Sequence, residues 1–335
     1  MAFDAQTLID LLMLPALGKP LWMWLSFTGL VLFLLALDLG VLNRKNHVIS
    51  VRHSLVLSAF YISLGLIYGA GIWFTLGAES GMNYLTGFAV EKALAIDNIF
   101  VIAMIFSFFG VPEKYQHRVL FWGILGVIIL RAIMIALGAA VISEFSWVLY
   151  VFAVFLIATG IKMLFAGDKP ADIGNNPILR FMKRWLRVSE THHEERFFVR
   201  LLDTKTGKTL LHVTPLFMAL VLIEIADVVF AVDSVPAIFA ITTDPFIVYT
   251  SNIFAILGLR ALYFALSAMI ERFHYLKYAL AIVLIFIGIK IFAADLLGLE
   301  KIPPVFSLAM IISIIGAGVV VSLIWSRPQP NKALG

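Results

Sequence analysis

Seven residues in two apolar stretches of the chain have the side-chain oxygens that a metal cation needs. They are Glu91, Asp97 and Asn98 in the first stretch and Glu224, Asp227, Asp233 and Ser234 in the second. A carboxylate at the centre of a bilayer costs about 2.5–3.5 kcal/mol even on a lenient insertion scale, so several together require compensation. Oxygen ligands suit hard cations such as Mn²⁺, Mg²⁺ and Ca²⁺. The two stretches therefore predict a cation site built from carboxylates.

Three basic residues, one in the first of these stretches and two in other apolar stretches, could balance part of this negative charge. Lys92, Arg131 and Arg260 would leave two negative charges if all three paired with the five acids. One divalent cation would neutralise that remainder, and protonation of two acids would do so equally well. Asp38 and Asn252 are possible accessory residues, although Asp38 is equally consistent with a solvated helix end.

Helical geometry restricts how the second stretch can be used. Glu224 and Asp227 share one helix face, whereas Asp233 follows Glu224 by nine residues and lies about 180° around the helix. Pro236 removes a backbone hydrogen bond beside Asp233. We therefore predict that this helix kinks or unwinds from Ala231 to Pro236, which would let Ser234 and freed carbonyls join the carboxylates.

Composition shows what kind of protein must hold these residues. Of the 335 residues, 61% are hydrophobic and 14% are charged, whereas soluble domains are about half apolar and a quarter charged. An all-α polytopic membrane protein is therefore predicted, and a large soluble enzyme domain is excluded. The chain has no cysteine, which excludes thiol catalysis, disulfides and thiolate metal sites. We expect a protein that is not an enzyme and has no organic cofactor.

Apolar runs of membrane-spanning length predict nine transmembrane helices. They lie near residues 21–42, 54–77, 84–109, 119–142, 147–166, 213–241, 247–270, 278–297 and 305–325. The loops on one side contain 18 Lys and Arg residues and those on the other contain two. The positive-inside rule then predicts a bacterial inner-membrane protein with its N-terminus outside and its C-terminus in the cytoplasm.

Basic residues that cluster in these loops need no nucleic-acid partner to explain them. A nucleotide is not expected either, because Gly207-Lys208-Thr209 lacks the glycine that a phosphate-binding loop requires at position 202. The stretch FFVRLLDTKTGKTLLHV predicts a short β-hairpin in the cytoplasmic insert. The expected partners are the lipid bilayer and a divalent cation substrate.

Two parts of the sequence resemble each other. LRAIMIALGAAVI at 130–142 matches LRALYFALSAMI at 259–270, and GIKMLFAGD at 160–168 matches GIKIFAAD at 288–295. A unit with an odd number of spans must be inverted in its second copy, so the sequence predicts a 3+3 inverted repeat, as in alternating-access transporters. The predicted units are 1–83 (spans one and two), 84–166 (first repeat), 167–212 (cytoplasmic insert), 213–297 (second repeat) and 298–335 (last span and tail).

Three motifs resemble the TerC/Alx family of bacterial membrane proteins. They are EKALAIDNIF at 91–100, EIADVVFAVDSVPAIFAITTDPF at 224–246 and SNIFAILGLRALYF at 251–264, and the resemblance extends from about residue 38 to 295. It implies a member of the wider LysE-like exporter group, which is associated with manganese efflux. It also implies that the seven oxygen-bearing residues of the two acidic motifs form the metal site.

We therefore expect a secondary-active exporter that moves Mn²⁺ by alternating access, with protons or another ion displacing the metal. The choice of Mn²⁺ and the outward direction follow from the resemblance. An exporter of Ca²⁺, another cation or a basic amino acid remains an alternative. A non-transporting membrane scaffold in metal or tellurium stress, with ion-paired acids as structural elements, is the other.

Overall fold

The computed structural model describes residues 5–38, 51–165, 174, 177–189, 195–202, 209–266, 275–298 and 302–325. The N-terminal elements are α1 (Ala5–Met13), β1 (Pro15–Ala16), β2 (Lys19–Pro20), α2 (Leu21–Leu37), α3 (Val51–Leu76), α4 (Ala78–Phe109), α5 (Glu113–Glu144) and α6 (Val148–Phe165). The later elements are α7 (Pro177–Trp185), β3 (Phe198–Leu202), β4 (Thr209–Val213), α8 (Pro215–Phe239), α9 (Pro245–Leu257), α10 (Leu259–Leu266), α11 (Leu276–Leu296) and α12 (Pro304–Trp325).

Eight helical segments within the described residues are long and apolar enough to cross a membrane. They are α3, α4, α5, α6, α8, α9 together with α10, α11 and α12. The prediction of an all-α polytopic membrane protein is confirmed. Helix α2 is apolar but only 17 residues long, and residues 39–50 after it lie outside the described part, so the ninth span stays a prediction.

The insert between α6 and α8 contains the β-hairpin that the sequence predicts. Strands β3 and β4 pair antiparallel, with Phe198 opposite Val213 and Leu202 opposite Thr209. The Thr214 side chain accepts a hydrogen bond from the backbone N–H of Phe217, so the hairpin leads directly into a capped α8. The tip of the hairpin, at 203–208, is outside the described residues.

Helix α8 is continuous from Pro215 to Phe239. Of the two predicted outcomes from Ala231 to Pro236, unwinding is therefore wrong, whereas a kink stays a prediction. A proline inside a helix removes one hydrogen bond, but the residues around Pro236 are buried, and this packing keeps the segment helical. A break in the helix occurs in the next span, at Gly258 between α9 and α10. A Cβ atom at Gly258 would lie 2.8 Å from Nζ of Lys92.

Helices α6 and α11 cross at two glycines that make matching contacts. A Cβ atom on Gly160 would lie 2.7 Å from the carbonyl oxygen of Ala281, and one on Gly288 would lie 2.6 Å from the carbonyl oxygen of Ala153. The same 128 positions separate Gly160 from Gly288 and Ala153 from Ala281. Such reciprocal contacts are what an inverted repeat would produce, while the repeat itself stays a prediction.

This crossing gives a first prediction about stability. We expect both Gly160→Ala and Gly288→Ala to lower the free energy of unfolding by about 1–3 kcal/mol, because each new methyl group would overlap a backbone carbonyl. Gly71→Ala is the matched control, since a Cβ atom there has no neighbour within 4 Å. Thermal unfolding in detergent measures the difference, and equal melting temperatures for all three variants would contradict the close crossing.

Candidate functional site

Arg131 of α5 is the centre of a buried ion-pair network. Its Nη1 lies 2.8 Å from Oε1 of Glu91 on α4. Its Nη2 and Nε lie 3.2 and 3.3 Å from the two carboxylate oxygens of Asp227 on α8. Nη1 also donates a hydrogen bond to the hydroxyl oxygen of Ser234. One guanidinium therefore joins α4, α5 and α8.

This network explains why an arginine stands at position 131. The planar guanidinium can bind Asp227 through two parallel hydrogen bonds and still reach Glu91 on another helix. The residue-level exposure of Arg131 is 0%, and that of Glu91 is 1%. Charges removed from solvent to this extent are stable only when each is paired, so the three side chains depend on one another.

Glu224 adds a third carboxylate to this part of the membrane core. It lies one helical turn before Asp227, and its carboxylate rests over Gly126 of α5. A Cβ atom on Gly126 would lie 2.5 Å from Oε2 of Glu224, so a larger residue there would force the carboxylate to move. Glu91, Glu224 and Asp227 together with Arg131 have a net charge of −2 when all four are ionised. We call these four residues the Arg131 site.

Several side-chain oxygens of the predicted site residues have no hydrogen-bond partner among the described residues. They are Oε2 of Glu91, Oε2 of Glu224 and Oδ1 of Asn98, all buried. Asn98 follows Glu91 by two turns on α4. Buried polar atoms without a partner are rare and costly, and carboxylate and amide oxygens are the ligands of hard cations. The chemistry of these atoms fits a divalent cation.

Asp233 lies apart from the Arg131 site. It is half-buried, and the hydroxyl of Thr159 on α6 donates a hydrogen bond of 3.3 Å to its Oδ1. The continuous α8 therefore directs Asp233 away from Glu224, as nine residues of regular helix require. Asp97 belongs to α4, but its side chain lies outside the described part of the structure.

The predicted charge balance is realised only in part. Arg131 contacts two of the acids, whereas Arg260 of α10 forms a buried ion pair with Asp38 at the end of α2. Lys92 donates a hydrogen bond of 2.8 Å to the carbonyl oxygen of Ala255, at the C-terminal end of α9. Arg260 and Lys92 are thus placed beside the α9–α10 break. Asp38 has a partner inside the protein rather than a solvated position.

Asn252 of α9 is fully buried, and neither its amide nitrogen nor its amide oxygen has a hydrogen-bond partner among the described residues. Two further residues, Gly126 and Thr159, contact Glu224 and Asp233 and were not among the predicted site residues. Thr159 carries no sequence signal, because its contact with Asp233 joins residues 74 positions apart.

These features define a polytopic α-helical membrane protein with an acidic, arginine-bridged site inside its helix bundle. The sequence model of the integral membrane protein TerC family matches residues 76–330. The chain therefore belongs to the TerC family.

Relatives cover nearly the whole chain. A membrane protein of Rickettsia bellii is 50% identical over 301 residues, which are 90% of this chain and 97% of the relative. One of Myxococcus xanthus is 46% identical over 95% of this chain and 97% of the relative. A protein of Escherichia coli with the provisional name membrane-bound redox modulator Alx is 43% identical over 95% of this chain and 98% of its own length. No solved structure matches.

The network predicts a large difference between two arginine substitutions on α5. We expect Arg131→Met to lower the free energy of unfolding by about 3–5 kcal/mol, because it leaves buried carboxylates without a counter-charge. Arg118 is a matched control on the same helix, since its ion pair with Glu195 is partly exposed, and Arg118→Met should cost at most about 1 kcal/mol. Thermal unfolding distinguishes the two. Similar losses from both variants would show that the Arg131 pairs contribute little.

Proposed function

We propose that this chain is a secondary-active exporter of divalent metal ions in the bacterial inner membrane, with Mn²⁺ as its principal substrate. The observation that carries the proposal is the net charge of the Arg131 site. Three carboxylates and one guanidinium leave two negative charges, which one divalent cation balances. A carrier, rather than an enzyme, is the function that this arrangement serves.

The unpaired oxygens supply the ligands. Glu91, Glu224 and Asn98 each have one buried oxygen without a hydrogen bond among the described side chains. All three atoms are hard donors, which favours Mn²⁺, Mg²⁺ or Ca²⁺ over soft metals. In the described arrangement, no group of three or more His, Asp or Glu side chains could hold a metal ion. Binding therefore includes a rearrangement in which Arg131 loosens its hold on Glu91 or Asp227.

This rearrangement gives the site two alternative states. In one state Arg131 pairs with Glu91 and Asp227, as in the structure. In the other state a cation takes part of their charge. The cation and the guanidinium compete for the same carboxylates, which lie on α4 and α8, while Arg131 lies on α5. Metal binding is therefore coupled to the relative positions of these three helices, and alternating access requires such a coupling.

The outward direction, the preference for Mn²⁺ and the N-terminus-outside orientation follow from the family resemblance and the loop charges. The provisional name of the Escherichia coli relative concerns redox modulation. A chain without cysteine cannot supply thiol chemistry. Export of a redox-active metal would affect cellular redox balance indirectly.

A transport measurement tests the proposal. Inside-out proteoliposomes should take up ⁵⁴Mn²⁺ saturably. Glu224→Gln should abolish uptake or raise the half-saturating Mn²⁺ concentration at least about 10–100-fold. This is the loss in metal affinity that is typical when a residue that only orients a ligand is replaced. Glu144→Gln is the matched control, since Glu144 is an exposed acid at the end of α5 and should leave uptake unchanged. Circular dichroism confirms that both variants are folded.

Competition in the same vesicles separates the alternatives. Excess Ca²⁺ that outcompetes Mn²⁺ would change the principal substrate, and competition by lysine or arginine would indicate a basic amino-acid exporter. Absence of uptake of any of these substrates by folded protein would contradict a carrier and favour a membrane scaffold. An imposed pH gradient that does not alter the rate would contradict proton coupling.

Two glycines on α5 offer a finer test of how Glu224 is positioned. We expect Gly126→Ala to weaken Mn²⁺ binding, because the new methyl group would displace the Glu224 carboxylate. Gly123→Ala should bind normally, since a Cβ atom there lies 3.8 Å from Oε1 of Glu224, an ordinary contact distance. Isothermal titration of each purified variant with Mn²⁺ measures the effect, and equal affinities would place Glu224 outside the metal site.

A further inference from the structure

Helix α7 in the insert is amphipathic, and one side of it packs against the helix bundle. Leu179 and Met182 are 1% and 6% exposed. They belong to the same buried cluster as Leu216 and Met218 at the start of α8. Apolar packing therefore holds α7 against this end of the helix bundle.

A second apolar side of α7 is uncovered. Phe181 and Trp185 are 60% and 73% exposed, and their ring centroids lie 5.7 Å apart. Each residue turns the helix by about 100°, so the two aromatic side chains point about 60–160° away from the directions of Leu179 and Met182. The aromatic side therefore continues the apolar surface beyond the edge of the contact with the bundle.

The remaining side of α7 is basic. Three exposed residues lie on it, namely Arg180, Lys183 and Arg184, and the exposed Arg187 follows two residues after the helix. No Asp or Glu occurs from 177 to 189. A helix with an aromatic strip beside a basic strip has the pattern of helices that lie in the plane of a membrane interface.

The position of α7 along the bundle supports this comparison. The cluster that buries Leu179 also contains Phe106, near the end of α4, and Val119, near the start of α5. Exposed rings occur at the same end, on Phe108 and Trp122. Exposed aromatic residues near the ends of spans are typical of the boundary between acyl chains and headgroups.

We propose that α7 lies in the headgroup layer of the membrane and binds anionic phospholipids. Phe181 and Trp185 insert between the lipids, and the basic side chains contact the phosphate groups. This lipid-binding surface is separate from the Arg131 site and does not depend on the metal-export proposal. The positive-inside prediction assigns it to the cytoplasmic leaflet, where such basic segments meet anionic lipids.

Single labels test the proposal, because the chain has no cysteine of its own. Trp185→Cys is labelled with an environment-sensitive nitrobenzoxadiazole dye in nanodiscs of phosphatidylcholine, alone or with equal phosphatidylglycerol. Phosphatidylglycerol should shift the emission to the blue, and spin labels near the headgroups should quench it. Arg200→Cys, on the exposed side of β3, is the matched control and should remain water-exposed.

Removal of basic residues tests whether α7 prefers anionic phospholipids. The double variant Lys183→Gln, Arg184→Gln should lower the ratio of lipid-inserted to water-exposed label at position 185, by about five-fold for each charge removed. Arg196→Gln with Arg200→Gln removes two exposed charges from the neighbouring hairpin and should leave the ratio unchanged.

Three results would overturn the proposal. The first is water-like emission at 185 in both kinds of nanodisc. The second is an identical shift without phosphatidylglycerol, which would remove the preference for anionic lipid. The third is cross-linking of Trp185→Cys between two copies, which would assign the aromatic side to a protein contact.

Discussion

A guanidinium keeps its charge even when it is fully removed from solvent, so its burial is costly unless carboxylates lie beside it. This requirement organises the helix bundle around Arg131. Its partners come from two other helices, Glu91 of α4 and Asp227 of α8. The three helices must therefore hold their side chains within hydrogen-bond distance inside an apolar environment, where a displaced charge is expensive. The glycine at 126 follows from the same constraint, because it leaves space for Glu224 against α5.

Local sequence rules predicted the elements of this structure better than their connections. Hydropathy located the eight spans that the described residues contain, and β-propensity located the strands at 198–202 and 209–213. The acids of α4 and α8 could be recognised as an unusual cost in a membrane. The choice of partners could not, because Arg131 and Arg260 have equivalent sequence surroundings, yet one binds Glu91 and Asp227 and the other binds Asp38. Their partners depend on how distant helices pack, which periodicity does not encode.

Pro236 shows how packing can override a local rule. Proline weakens a helix by removing one hydrogen bond, and the sequence suggested that Asp233 could turn towards Glu224 only if the helix opened there. The buried neighbours of Pro236 keep α8 helical instead. Asp233 consequently faces Thr159 of α6, on the side of the α6–α11 crossing, while Glu224 and Asp227 face α5. Helix α8 thus presents acids to two different neighbours.

The charge of the Arg131 site also restricts how the proposed exporter could exchange ions. With Arg131 retained, one divalent cation makes the site neutral, and so does protonation of two of its three carboxylates. An occupancy that brings more or fewer than two positive charges leaves a net charge in the membrane core, where it is costly. If protons are the counter-ion, a cycle that keeps the site neutral on both strokes exchanges two protons for one divalent cation, and it moves no net charge across the membrane. A monovalent cation would leave the loaded site negative, so the same electrostatics favour divalent substrates without requiring a narrow fit to ionic radius.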